Sequence, residues 1–427
     1  MTNELVALLG GSEIGRVRSD SRSRLTFVYR NDWRTADGGY PLSLSMPLAA
    51  EEHGPAAVQA FLWGLLPDNE QVIARWAKRF QVSPRNVFAL ISNVGEDCAG
   101  AVQFVTPDRL NALETGAEDS IEWIDTPEMA RRLRALREDH AAWRLPRDTG
   151  QFSLAGAQPK TALVQQEDRW GIPAGRIPTT HILKPPTGNF DGHAENEHIC
   201  LQLARELGLP AADTKVMRFE NEIAIVVERY DRYASGNDII RVHQEDICQA
   251  MAILPTKKYQ NEGGPTPSDV LDLLRTYSTD READIETFLG ALALNWLIGG
   301  SDAHAKNYSL LLASGALVRL APLYDIASIL PYDDVDQRKV KLAMKIGDEY
   351  KLDQIGLRQW QKFAQETRIE ADQIIERLIS LAVQIPDLVT DIRARAQKDG
   401  LDHDIISRLA TVLNTRAKDC ERRLRGQ

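Results

Sequence analysis

The stretch Asn295–Asp325, NWLIGGSDAHAKNYSLLLASGALVRLAPLYD, constrains the fold more than any other part of the chain. The apolar run Phe288–Ile298 reads as a buried helix, and Gly299 and Gly300 stop it. A polar loop, Asp302–Asn307, follows. Tyr308–Leu312 has strand character, Ser314 and Gly315 make a turn, and Leu317–Leu323 forms a second short strand that delivers Asp325. Phosphoryl transfer from a nucleotide needs a carboxylate at the attacking hydroxyl, with an amide and a second carboxylate to hold Mg²⁺, because the protein contributes mainly positioning and charge neutralisation. Asp302, Asn307 and Asp325 supply that set in one continuous segment. The alternative is a surface turn in which Asp302 and Asn307 only cap backbone amides.

Composition narrows the setting. A chain of 427 residues that is 43% hydrophobic can bury two or three cores. Its formal charge, from 51 basic and 61 acidic residues, is −10, which argues against a general polyanion-binding surface and leaves a local basic patch open. Cys98, Cys200, Cys248 and Cys420 are scattered without a Cys-x-x-Cys pair, so they read as reduced and buried rather than as a disulfide framework or zinc knuckle. Met1–Gly15 has no secretory pattern and the Phe288–Ile298 run is too short to span a bilayer, so no membrane association is expected and the expected location is cytoplasmic.

Residues 1–105 form a first domain, with β-type segments at Leu5–Leu9, Leu25–Tyr29 and Leu42–Met46 and a helical stretch Ala57–Phe80 interrupted at Pro67-Asp68. Glu96-Asp97-Cys98 reads as a polar turn before the Ala101–Val105 strand, with metal ligation as the alternative. Residues 106–149, with a charged helix over Pro127–Arg144, connect to the next domain. No internal repeat is present, which sets solenoids aside.

Residues 150–232 carry a second constellation. Gln151–Lys160 contains a loop of small residues (Ala155, Gly156, Ala157, Gln158, Pro159) ending in Lys160, a composition that lets backbone N–H groups approach phosphates. Alone it fits neither common phosphate-binding pattern and reads rather as an ordinary hairpin turn before the Thr161–Val164 strand. His181–Lys184 is a strand ending in lysine, and Ala194–Gly208 an amphipathic helix opening with Glu195 and Glu197. Protein kinases pair a strand lysine with a glutamate of the next helix, so Glu197, or else Glu195, is the candidate partner of Lys184. A solvated strand-end lysine and a first-turn glutamate favoured by the helix dipole are the plain alternatives. Met217–Phe219 and Ile223–Val227 form a hairpin running into Glu228, Arg229 and Tyr230, where an adenine would meet backbone if this strand exit is a hinge. Against the kinase pattern H-R-D-x4-N, Gly300 and Ser301 stand before Asp302, and Tyr324-Asp325-Ile326 occupies the Asp-Phe-Gly position.

Ser153–Lys160, His181–Lys184, Glu228–Arg232, Gln244–Gln249 (QEDICQ), Ile298–Asn307 and Pro322–Asp325 together resemble the HipA family of serine/threonine kinases, the toxins of toxin–antitoxin pairs. Pro41–Leu48 (PLSLSMPL) and Gly64–Asn69 (GLLPDN) extend the likeness to the N-terminal domain. The resemblance implies an α+β chain with a two-lobed protein-kinase-like fold, a small mixed lobe at 150–232 and a helical lobe at 233–427, behind the N-terminal domain. It implies ATP and Mg²⁺ as cofactors and Asp302 as the base, with Asn307 and Asp325 as metal ligands. Lys184 and Ala155–Lys160 would hold the phosphates and Glu228, Arg229 and Tyr230 the adenine. His304, Ala305, Lys306, Asn307, Tyr324 and Asp325 would contribute again at the nucleotide, and Ser153 would be the site of autophosphorylation.

The family also implies a dimeric helix-turn-helix antitoxin of the HipB kind, operator DNA bound through that complex, and growth arrest and persistence through phosphorylation of a translation component such as an aminoacyl-tRNA synthetase. A small-molecule phosphotransferase and a catalytically silent co-repressor remain alternatives. Beyond Asp231 helices are expected at Glu245–Leu254, Pro267–Tyr277, Ala283–Ile298, Ile355–Thr367, Ala371–Val383 and Asp402–Arg425. The last is rich in arginine, which reads as a solvated helix end or as a contact to DNA phosphates.

Overall fold

The computed structural model describes residues 3–143, 152–188, 190–236 and 238–426. The expected domain boundary at 149/150, Gln151 and the end of the Pro127–Arg144 helix at Arg144 lie outside those residues. The chain is α+β and divides into two compact units, one of Met1–Pro185, Arg218–Thr256 and Ser309–Val318, the other of Pro186–Met217, Lys257–Tyr308 and Arg319–Gln427.

The first unit contains an antiparallel sheet in the order Glu52–His53, Leu25–Tyr29, Ser12–Ser19, Glu4–Leu9, Val102–Val105. Strand Glu4–Leu9 is buried on both faces. Leu5, Ala7 and Leu9 enter a large core with Phe27, Phe61, Trp76 and Phe104, while Val6 and Leu8 meet Val105 and Leu113 on the other side. A period of two divides one apolar run between two faces. The Ala57–Phe80 helical stretch is two helices, Pro55–Gly64 and Glu70–Phe80; Asn69 caps the second by accepting from the Gln71 and Val72 amides. A second sheet sets Ser120–Ile124, Arg169–Ala174, Thr161–Gln166, His181–Lys184 and Glu222–Glu228 side by side. Helix Thr126–Glu138 is fastened to it where Arg134 and Arg137 donate to Glu222 at 3.0 Å.

Two expected elements in this unit are corrected, and they are one feature. Leu42–Met46 is a loop with a single Ser43–Met46 bridge, because Tyr29 supplies its partners: the phenol accepts from Leu42 N and donates to Met46 O, both at 2.7 Å. Glu245–Leu254 is not one helix but a strand, His243–Asp246, and one turn, Ile247–Ala250. Asp246 forms a capping box with Gln249, which requires extended backbone at Asp246 and starts the helix after it. The two segments clasp each other. The Glu245 carboxyl accepts from Leu44 N at 2.8 Å, His243 Nε2 meets Leu42 O at 2.8 Å, and the Gln249 carbonyl accepts from the Ser43 and Ser45 hydroxyls. Burial lowers the His243 imidazole to about 4, so the neutral ring donates through Nε2.

The second unit is mainly helical: His193–Glu206, Pro267–Tyr277, Arg281–Ile298, Leu357–Thr367, Ala371–Lys398 and Asp404–Leu424. Helix Ala371–Lys398 runs well past the expected end at Val383 and through Pro386. Buried Ile385, Val389, Ile392 and Ala396 continue its packed face, so the hydrogen bond lost at the proline does not end it. The arginines of the last helix are engaged: Arg408 with Asp333, Arg416 with the Trp296 carbonyl, Arg422 and Arg423 with Asp419, and Arg425 with Glu421. All four cysteines are buried and free, and among the described residues no helix is long and apolar enough to cross a membrane.

Burial pushes the Glu245 carboxyl up to about 8 from 4.5. The folded protein then keeps a proton that the unfolded chain releases, so this group's contribution falls as pH rises between those values, by at most about 1.4 kcal/mol per pH unit. Glu245→Gln keeps the acceptor for Leu44 N and removes the titration. Urea unfolding between pH 6.5 and 8 is expected to show a shallower alkaline loss of stability in Glu245→Gln than in the unaltered protein.

Candidate active site

Helix Arg281–Ile298 is buried on every side from Phe288 onward and ends at Gly299, whose φ of 69° suits glycine. A Cβ at Gly300 would lie 2.0 Å from Asn295 Oδ1, so the chain turns out of the helix only because no side chain is there. The loop that follows is closed on itself. His304 N donates to Asp302 O at 2.8 Å and Asn307 N to His304 O at 2.9 Å. Asn307 Nδ2 donates to the Asp302 carbonyl at 2.9 Å. A carbonyl can only accept, so this bond fixes the Asn307 amide with its oxygen turned from the main chain. His304, Lys306 and Asn307 are buried and Asp302 is exposed. Segment 257–264 lies against the loop: Ala305 N donates to Lys258 O at 3.2 Å, and the Tyr259 phenol donates to Asp302 Oδ1 at 2.6 Å.

Asp325 is placed by a separate set of contacts. Leu323 is stitched to the segment before it in space, accepting from Ala212 N and donating to Pro210 O, both at 2.8 Å. The Tyr324 hydroxyl donates to Lys306 O at 2.8 Å. Ser328 exchanges hydrogen bonds with Asn196, and its hydroxyl donates to Ile298 O. Between these anchors Asp325 has φ 58°, a left-handed conformation that a non-glycine residue keeps only where its surroundings hold it. Glu195 and Asn196, in the first turn of His193–Glu206, and Glu197 just after it are all buried. The oxygen donors of Asn307 and Asp325 are of the hard type that suits Mg²⁺.

The remaining expected site residues belong to the first unit. Phe152–Lys160 leads into Thr161–Gln166, and the pairing of Thr161 with Leu183 sets Lys160 across from Lys184 at one end of the sheet. Lys184 is also paired with Ile225, and Glu228 with His181. The three-residue spacing along His181–Lys184 separates Lys184 from the Glu228 position by about 10 Å. Lys160 Nζ donates to Ala155 O at 2.6 Å and lies over the Trp143 ring. The Gly156 carbonyl accepts from Asp68 N at 3.0 Å, and Gly156 has φ 100°. Ser153 is fully buried, with N donating to Asp97 O at 2.9 Å and Oγ to Leu65 O at 2.7 Å.

Tyr259 is not singled out by the sequence, and Asp97 is read there only as part of the Glu96-Asp97-Cys98 turn. Glu96 does stand in a turn, but both carboxylates are buried rather than solvated. Glu96 pairs with Arg109, and Asp97 enters a buried cluster with Arg229, Asp231, Arg232 and Arg241. Asp97 Oδ2 accepts from Thr179 N and Oγ1, and Oδ1 from Arg232 Nη2 at 2.9 Å. Arg229 donates to both Asp231 oxygens, to Thr179 Oγ1 and to Cys98 O. Burial alone would raise the Asp97 carboxyl, but Arg232, Arg241 and Arg229 hold it well below the usual carboxylate range. The exit of Glu222–Glu228, the start of His181–Lys184 and the start of the Phe152–Lys160 loop thus share one anchor.

Comparison with known proteins agrees across the chain. Residues 5–105 match the HipA N-terminal domain and residues 152–387 the HipA-like C-terminal domain. A putative kinase of Sinorhizobium fredii, Y4mE, is 34% identical over 415 residues, 96% of this chain and 96% of that protein. The serine/threonine-protein kinase toxin HipA of Shewanella oneidensis is 30% identical over 432 residues, 97% of this chain and 95% of that protein. In a solved complex of Shewanella oneidensis MR-1 HipA with HipB and its operator DNA, a chain superposes with a TM-score of 0.84 at 26% identity, covering 99% of this chain and 98% of that one. The expected α+β, kinase-like fold class stands.

Asp97 gives a direct check on the cluster. Asp97→Ala leaves three guanidiniums facing one buried carboxylate and is expected to cost about 3–5 kcal/mol, read as a fall in the urea midpoint. Loss of the exposed Arg24–Asp20 pair should leave the midpoint almost unmoved.

Proposed function

The chain belongs to the HipA family, a family of kinases, and from that premise we propose that it is the ATP- and Mg²⁺-dependent serine/threonine kinase toxin of a toxin–antitoxin pair. Its protein substrate is a translation component of the aminoacyl-tRNA synthetase kind. A dimeric helix-turn-helix antitoxin like HipB binds it, and operator DNA is reached through that complex, as the Shewanella assembly suggests. Residues 1–105, 150–232 and 233–427 are the N-terminal domain, small lobe and large lobe, joined by 106–149.

The observation that carries this reading is the closed Asp302–Asn307 loop, in which the side-chain bond from Asn307 to the Asp302 carbonyl ties the amide to the main chain of the residue that bears the candidate base. In the reaction the substrate serine oxygen bonds to the γ-phosphorus and the bond to the β,γ-bridging oxygen breaks, its electron pair leaving with ADP. The serine proton passes to the Asp302 carboxylate. Asn307 and Asp325 hold Mg²⁺, which neutralises charge on the phosphates when bound. Lys184 and the Ala155–Lys160 loop hold the phosphates, with Glu197 as the helix partner of Lys184. His304, Ala305, Lys306 and Tyr324 complete the nucleotide contacts. Arg229 N already donates to Thr180 O, so the adenine meets main chain at the flanking Glu228 and Tyr230.

Incubation with γ-labelled ATP, Mg²⁺ and host lysate is expected to label protein bands. Label on small molecules would favour a small-molecule phosphotransferase, and no label a silent co-repressor. Asp302→Asn, an isosteric change at an exposed position, should fold normally and lose on the order of 100-fold or more in protein labelling.

Ser153 is the autophosphorylation site in this reading, and its burial makes the modification a switch. The hydroxyl reaches a phosphoryl donor only after leaving its seat beneath Leu65 and Asp97, and the modified side chain, carrying about −1.5 to −2 charges, cannot return there. Mass spectrometry of the protein expressed alone should find one phosphate on the peptide containing Ser153, none in Asp302→Asn, and weak ATP binding by the modified form.

A further inference from the structure

We propose that Tyr259 is a positioning residue for phosphoryl transfer, holding the Asp302 carboxylate in one orientation through its phenol. The inference rests on the assignment of Asp302 as base and adds a second group to it. Asp302 is exposed, and an aspartate on a loop surface can rotate about two side-chain bonds. The Tyr259 hydroxyl donates to Asp302 Oδ1 at 2.6 Å, within the range of a charge-assisted O–H···O⁻ bond.

Tyr259 is itself held. Its ring stands edge-on to His304, with centroids 4.9 Å apart and planes at 84°. The Lys258 carbonyl accepts from Ala305 N at 3.2 Å, and the Tyr259 carbonyl accepts from Glu262 N and Gly264 N, both at 3.0 Å. A Cβ at Gly264 would lie 2.2 Å from Lys257 O, so the tight return of this segment excludes other residues there. Gln260 Oε1 accepts from Lys345 N at 2.8 Å, tying the segment to strand Lys341–Ile346. Two segments distant in sequence therefore deliver a phenol and a carboxylate to one hydrogen bond with little freedom on either side.

In a loose transition state base strength counts for less than the orientation of the attacking hydroxyl, so a carboxylate held in one orientation is what the reaction asks of this group. The phenol supplies such a hold, and removing it should loosen the alignment of the base.

Tyr259→Phe keeps the ring against His304 and removes only the hydroxyl. With label transferred from γ-labelled ATP to lysate protein as readout, the variant should lose roughly 10-fold in maximal rate and keep its KM for Mg²⁺-ATP. Its melting temperature should match the unaltered protein's. A residue that only supports the loop would lower the melting temperature and raise the KM for Mg²⁺-ATP along with the loss of rate, which would overturn the proposal. A faster Tyr259→Phe would also overturn it, by showing that the phenol competes with the substrate hydroxyl. Asp302→Asn run in parallel separates the two levels. If it retains full activity, the base assignment itself is lost. If it is inactive while Tyr259→Phe matches the unaltered protein in rate, only the role of Tyr259 is lost.

Discussion

The buried charges around Asp97 are the constraint on which the first unit depends. Three guanidiniums, from Arg229, Arg232 and Arg241, face two carboxylates, from Asp97 and Asp231, almost wholly out of water. Such a group is costly to assemble and tolerable only if every arm is satisfied, which is why carbonyls at Cys98, Gly100 and Thr179 are also drawn in. The cluster fixes three strand and loop ends relative to one another where a nucleotide-binding reading needs them fixed. Hydrophobic packing, which is non-directional, would not set that register alone.

Several sequence motifs without evident chemistry acquire a reason once their partners are known. Gly64–Asn69 presents the Leu65 carbonyl to Ser153 and the Asp68 amide to Gly156, so it is the floor of the small-residue loop. Pro41–Leu48 and Gln244–Gln249 are two halves of one clasp. These pairs are far apart in sequence and close in space, with backbone groups of one met by side chains of the other. Residue identity at such places is set by hydrogen-bonding geometry rather than by catalysis.

What could be read in the sequence follows the same division. Helix Pro267–Tyr277 and the two-helix break around Pro67 were legible because periodicity and capping are local signals. The Asp302–Asn307 loop was legible because Gly299 and Gly300 announce the end of a buried helix. Leu42–Met46 misleads, since an alternating apolar run looks like a strand until Tyr29 is known to occupy its backbone. Asp246 misleads likewise, because a capping aspartate inside an apparently helical run marks a start rather than an interior. The continuation past Pro386 depends on burial supplied by other helices. The buried partners of Asp97 and the bond made by Tyr259 carry no local signal, since what distinguishes each is a partner more than 40 positions away.

The four free cysteines turn this interior into its own reporter. Two of them, Cys98 and Cys248, lie in the first unit and two, Cys200 and Cys420, in the second. Burial pushes the Cys98 and Cys200 thiols up to about 12, so neither offers a thiolate to a reagent at neutral pH while its surroundings stay closed. Alkylation must then wait for an opening of the protein, and its rate at each thiol measures how often that neighbourhood opens. Cys98, whose carbonyl accepts from Arg229 and Arg232, would time the breathing of the charge cluster, and Cys200, one helical turn beyond Asn196, that of the segment holding Asp325.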